Sequence, residues 1–112
     1  MKKYLVLNAD DFGMCKSANE AVFELFKSGD LLSATIMMPC PAAEEAVQFS
    51  IDNPQYAIGI HTTLTSEWKK YRWKPLTDGK SLLDPEVYVA RERRGGESTT
   101  KYKEVEAEVR RR

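Results

Sequence analysis

The chain is short of histidine and cysteine, and it carries no excess of charge. One histidine, His61, stands among 112 residues. Cys15 and Cys40 lack the close spacing of metal ligands and follow no export signal, so they read as thiols rather than a disulfide. Seventeen Lys+Arg balance seventeen Asp+Glu, which leaves no net field to draw nucleic acid or an anionic membrane. No apolar run approaches the roughly 20 residues that span a bilayer. No internal repeat or low-complexity linker is present. The start, Met1 to Leu7, resembles a signal peptide, but Asn8-Ala9-Asp10-Asp11 cuts its apolar core short. A cytoplasmic protein is expected. What remains is 42% hydrophobic, enough for one small globular domain.

Lys3 to Asn8 is a short apolar run and predicts a buried strand. Lys16 to Ser28 predicts a helix, with Ala18, Ala21, Val22, Leu25 and Phe26 on one face and Gly29 as the residue that ends it. Leu32 to Met38 predicts a second strand, stopped by Pro39. A helix starting near Pro41 and ending before Asn53-Pro54 follows, carrying Ala42, Ala46, Val47 and Phe49. Tyr56 to Leu64 is the third strand. Strand, helix, strand, helix, strand with connections of this length favours a parallel α/β sheet. Residues 65–84 have no period and read as a long functional loop. Pro85 to Arg94 predicts a short helix, Arg93 to Ser98 a turn, and residues 100–112 a final helix. In that helix Tyr102, Val105 and Val109 form the apolar stripe, and Glu106/Arg110 and Glu108/Arg112 are favourable i,i+4 pairs. Three strands cannot close a barrel, and the open edge after the third suits a piece of a larger domain. That edge also suits pairing with a second chain, a homodimer.

Sites in parallel α/β folds lie at the carboxyl ends of the strands. The strand assignment, made from apolar runs alone, puts Asp10 and Asp11 after strand one and His61 late in strand three, on one rim. Adjacent carboxylates repel, and a bound cation or a division of labour between ligand and base resolves this. A carboxylate with an imidazole suits a first-row transition metal better than calcium. The bland readings are an Asp-Asp helix cap and a structural histidine. Trp68, Tyr71 and Trp73, interleaved with Lys69, Lys70 and Arg72, suit a sugar ring, single-stranded nucleic acid or simple packing of the loop. Cys40 reads as a small buried thiol, and Met37 and Met38 as core.

Three stretches carry a resemblance. Leu7-Asn8-Ala9-Asp10-Asp11-Phe12-Gly13, Ser33-Ala34-Thr35-Ile36-Met37-Met38-Pro39 and Gly59-Ile60-His61-Thr62-Thr63-Leu64-Thr65 resemble, in order, motifs of the YdjC-like carbohydrate deacetylase family. Ser66-Glu67-Trp68 and Arg72-Trp73-Lys74-Pro75-Leu76 extend the likeness. The resemblance implies a partial (β/α) barrel-like parallel sheet, with residues 1–112 as a single incomplete catalytic domain. It implies a cytoplasmic hydrolase that uses a divalent metal, magnesium or zinc, to remove acetyl groups from N-acetylated oligosaccharides. Nucleic acid and membrane are not expected partners. Asp11 and His61 would be metal ligands, Asp10 the general base, and Trp68, Arg72 and Trp73 substrate-binding residues. Thr35 and Met37 lie on the second strand without assigned chemistry. The family pattern has a second metal-binding histidine that this sequence lacks, so the piece alone is expected to be inactive. The alternatives are a metal-dependent hydrolase of another amide or ester, and a non-catalytic sugar-binding or assembly module.

Overall fold

A computed structural model describes residues 1–91 and 100–112 of the chain. The elements run β1 (Asn8–Phe12), α1 (Lys16–Ser28), β2 (Ser33–Ile36), α2 (Ala43–Asp52), β3 (Ala57–Ile60), a single 3-10 turn (Lys80–Leu82) and α3 (Tyr102–Arg111). They fall into two compact units, residues 1–61 and 62–112.

The first unit is an α/β layer, as its alternation of elements predicts. Its sheet is parallel, in the order β1-β2-β3. Ala34 and Ile36 of β2 and Phe12 of β1 meet Val22 and Phe26 of α1 and Ala43 and Ala46 of α2 in one core. Phe12 contacts Phe23 and Phe49 edge to face, at centroid distances of 5.8 and 6.1 Å, and Phe23 stacks on Phe49 at 4.4 Å. Helix α1 has the predicted bounds. Gly29 ends it at φ 81°, a left-handed conformation that glycine adopts without strain. Its buried face is turned from the predicted one: Asn19, Val22 and Phe26 are buried, while Ala21 and Leu25 are exposed. The cause is Asn19, whose side chain accepts from the Gly13 N–H at 2.7 Å and donates to the Ala42 carbonyl at 3.0 Å and to Glu45 at 2.7 Å. A polar side chain that satisfies buried backbone groups takes an inward position from an apolar one.

Strand one also differs. It runs over Asn8–Phe12 rather than Lys3–Asn8. Tyr4, Leu5, Val6 and Leu7 are exposed, because no element of the described residues covers them. The other two strands are shorter than predicted, and His61 lies just past the end of β3.

Among the described residues of the second unit, Trp73, Leu82 and Val89 are the large buried apolar side chains. Backbone bonds from Val89 to Trp73 (3.0 Å) and from Ala90 to Leu82 (3.0 Å) tie them together. No helix forms over residues 85–91, the described part of the helix predicted from Pro85. There Asp84 accepts the backbone N–H groups of Glu86 (3.0 Å) and Tyr88 (3.2 Å), an aspartate turn that competes with helix. The turn predicted at Arg93 to Ser98 lies outside the described residues. The two predicted i,i+4 pairs of α3 are present, but the apolar stripe is not what the helix buries. Tyr102 and Val109 are exposed and Glu108 is buried. Among the described residues, no helix is long and apolar enough to cross a membrane.

Candidate functional site at the ends of β1 and β3

Strand β1 does not pair regularly. Ala9 stands opposite Ala34 and Phe12 opposite Ile36, so Asp10 and Asp11 together face one residue, Thr35. Two residues against one is a β-bulge, a feature that re-aims side chains. Asp11 carries its distortion at φ 61°, a conformation uncommon outside glycine but tolerated by aspartate. Fixed points lie on either side. Phe12 is fully buried and its carbonyl accepts the Met37 N–H at 2.7 Å. Gly13 follows at φ 90°, and a Cβ there would stand 3.0 Å from the Cα of Ala43. The motif's glycine is therefore required twice over, by conformation and by the close approach of α2. Asp10 and Asp11 belong to a strand, and the residue capping α1 is Cys15, so the helix-cap reading of the two acids does not hold.

His61 is fixed by its own backbone, whose N–H donates to the Ile36 carbonyl at 2.9 Å and carries the β2–β3 pairing one residue further. Its Nε2 lies 3.9 Å from Oδ1 of Asp11, with both side chains partly exposed. The neighbouring Asp10 takes a different set of partners. Its Oδ1 accepts from Asn8 Nδ2 at 2.7 Å and from Thr35 Oγ1 at 2.9 Å, and Ser33 Oγ donates to Asn8 Oδ1 at 2.5 Å. The bulge thus sorts two consecutive acids: one toward the imidazole, one into a polar ladder across β1 and β2. Sequence reasoning missed Asn8 and Ser33 and gave Thr35 no chemistry. Their signal was period two, Asn8-x-Asp10 beside Ser33-x-Thr35.

The donor set can be tested against a metal ion. Two ligands each about 2.1 Å from one ion stand about 3.0–3.4 Å apart at octahedral to tetrahedral angles. The Asp11–His61 separation of 3.9 Å is within a small side-chain rotation of that. The pair fits two corners of a mixed oxygen and nitrogen shell. Among the described residues no group of three or more His, Cys, Asp or Glu is placed to complete it.

The three residues expected to bind substrate lie in the second unit, and their surroundings there differ. Trp68 is 51% exposed and offers its ring to solvent. Trp73 is 2% exposed, its indole packed away as the loop's own core. Arg72 is held inside the unit: its guanidinium pairs with Asp84 at 2.5 Å and Glu86 at 3.2 Å, and lies 5.1 Å over the Tyr88 ring. Cys40 is buried, as are the Met37 side chain and much of Met38.

The chain is similar to known proteins. The sequence model of the YdjC-like protein family matches residues 4–111. A carbohydrate deacetylase of Geobacillus stearothermophilus is 40% identical over 84 residues, 75% of this chain and 32% of that protein. A chitooligosaccharide deacetylase of Yersinia enterocolitica is also 40% identical over 84 residues, 75% of this chain and 31% of that one. The chain therefore spans about a third of the length of the curated relatives it matches. A crystal structure described as a cellobiose-phosphate cleavage protein of Enterococcus faecalis V583 superposes with a TM-score of 0.76 and 28% identity, over 95% of this chain and 40% of that one. With its paired acids, its strand-end histidine and a family match over nearly its whole length, the chain belongs to the YdjC-like family.

Proposed function

We propose that this chain carries part of the site of a cytoplasmic, metal-dependent carbohydrate deacetylase that removes N-acetyl groups from amino-sugar oligosaccharides. The observation that supports the reading is the sorting of the two acids at the β1 bulge, with Asp11 3.9 Å from His61 and Asp10 held separately by Thr35. The relatives named as deacetylases supply the reaction class. Asp11 and His61 are the residues that would hold a divalent ion, magnesium or zinc. Such an ion, when bound, polarises the acetyl carbonyl and lowers the pKa of a coordinated water. Asp10 accepts a proton from the attacking water as the carbon–oxygen bond forms. Collapse of the tetrahedral centre then breaks the amide C–N bond as the leaving nitrogen is protonated; both hydrogens of the water end on that nitrogen, Asp10 returns to carboxylate, and the products are acetate and an ammonium group. Of the aromatic residues expected at the sugar, Trp68 and Tyr71 are exposed and open to stack on it, whereas Trp73 is buried.

The test is acetate release from N-acetylglucosamine oligomers by a protein that carries this chain at the full length of its relatives, measured with bound-metal content. Asp11→Ala and His61→Ala are expected to abolish both, and Asp10→Asn to keep the metal and lose turnover by roughly a hundredfold or more. Full metal content in either ligand variant would overturn the ligand assignment. Sugar binding that survives EDTA, without acetate release, would favour a non-catalytic sugar-binding module.

A further inference from the structure

The two oxygens of the Asp10 carboxylate are not equivalent. Oδ1 accepts two hydrogen bonds, from Asn8 Nδ2 at 2.7 Å and Thr35 Oγ1 at 2.9 Å. Among the described residues Oδ2 accepts none. The donors are themselves set by the sheet. Asn8 pairs with Ser33 in the β1–β2 register, and Asp10 and Thr35 each lie two residues further along their strands, so all four side chains share one face. Ser33 Oγ donates to Asn8 Oδ1 at 2.5 Å, which fixes the amide with its NH2 toward the carboxylate. The opposite orientation would set the amide oxygen against Asp10, acceptor against acceptor.

We infer that Asn8 and Thr35 are positioning residues for Asp10: they clamp Oδ1, hold the side chain in one rotamer, and leave Oδ2 as the oxygen that takes the proton. The inference rests on the proposed role of Asp10 as base. An exposed aspartate on a strand has two soft torsions and a water shell that competes for each single hydrogen bond. Two donors converging on one oxygen from adjacent strands restrict both torsions at once. A base must lie within hydrogen-bond reach of the proton it abstracts, and small misplacement is costly in rate. A carboxylate presented by a single oxygen meets that demand. One facing solvent with either oxygen meets it only part of the time.

Two measurements test this. In the 112-residue chain, three-bond couplings to the Cγ of Asp10 are expected to report a single χ1 rotamer. Asn8→Ala and Thr35→Val should each give rotamer-averaged couplings, and Thr35→Ser, which keeps the hydroxyl, should restore the single rotamer. In the acetate-release assay Thr35→Val should lower kcat by about 10- to 100-fold, the loss of one hydrogen bond to a charged group. KM and bound metal should stay within about twofold, because the hydroxyl donates to Asp10 and not to Asp11 or His61. Thr35→Ser should recover most of kcat. Couplings unchanged in the Asn8→Ala/Thr35→Val double variant would overturn the inference, whatever the enzyme does. A loss of metal, or a rise in KM with kcat intact, would overturn it too, by making Thr35 a ligand or substrate contact. Rotamer averaging as expected, but no acetate release from the full-length wild type, would instead sink the reading of Asp10 as base.

Discussion

Single residues in this chain are decided by which partner reaches them first. Asp10 and Asp11 are adjacent and chemically identical, yet one is bound by a threonine and an asparagine while the other lies beside an imidazole. Composition could not have separated them; a bulge did. Arg72 looked available to substrate because it stands among aromatics in a polar loop, and Asp84, 12 residues on, takes it. Asp84 is the better reporter of that turn. The Arg72 guanidinium first, and the Tyr88 and Glu86 backbone N–H groups after it, hold its carboxyl below the ordinary value. A carboxyl depressed on folding stabilises the folded state fully above its unfolded value of about 4 and loses that contribution as pH falls through the folded value. The second unit should therefore weaken on acidification below about pH 4. Asp84→Asn should remove that part of the slope while lowering stability at neutral pH. Urea midpoints followed by tryptophan fluorescence across this range check it, since both tryptophans, Trp68 and Trp73, lie in residues 62–112.

Elements were legible where local signals agreed and illegible where a partner distant in sequence chose the face. Helix α1 was read to the residue because an amphipathic run met a C-terminal glycine. Its rotation was missed because Asn19 serves backbone groups of Gly13 and Ala42, which nothing in the helix itself announces. Helix α3 shows the effect more strongly. The apolar stripe is exposed at Tyr102 and Val109, while Glu104 and Glu108 are the residues that hold it in place. Glu108 accepts from the backbone N–H groups of Leu76 (2.8 Å) and Thr77 (2.9 Å), from the Thr77 hydroxyl (2.7 Å) and from Arg112 (3.3 Å). Glu104 accepts the Ser81 N–H at 2.7 Å. One turn apart, the two carboxylates serve as caps for a loop that has no ladder of its own. Glu108→Ala takes the acceptor from the Leu76 and Thr77 donors and the carboxylate from the buried Arg112 guanidinium, and should cost about 3–5 kcal/mol. Glu108→Gln, which keeps one acceptor, should cost less. Chemical denaturation of both variants, read by the same fluorescence, measures the difference.

At the scale of the whole molecule, the parallel α/β arrangement was readable because a helix stands between each strand and the next, a connection long enough for a parallel crossover. The first strand was displaced because its apolar approach, Tyr4 to Leu7, scores as core and its true residues, Asn8 to Phe12, are half polar. That polarity belongs to a sheet face lined by Asn8, Asp10, Ser33 and Thr35 rather than by apolar side chains. Among the described residues β1 is an edge of the sheet, preceded by exposed Leu5 and Val6 at 78% and 68%. An edge strand flanked by exposed apolar residues is a template for another chain. Concentration-dependent self-association is expected in sedimentation velocity, and Leu5→Lys/Val6→Lys should weaken it roughly tenfold by placing charge on the edge. Monomer at all concentrations in the wild type would remove the homodimer from consideration.

The irregularity in β1 has a consequence for anyone who counts residues. A strand is a parity code, odd positions to one side and even to the other. Ala9 and Phe12 both sit on the helix-covered side, so strict alternation leaves room for one outward residue between them, and the chain supplies two. Deleting either acid would mend the code and yield a tidier sheet holding one carboxylate. The second acid and the flaw in the strand are the same residue, and neither can be kept without the other.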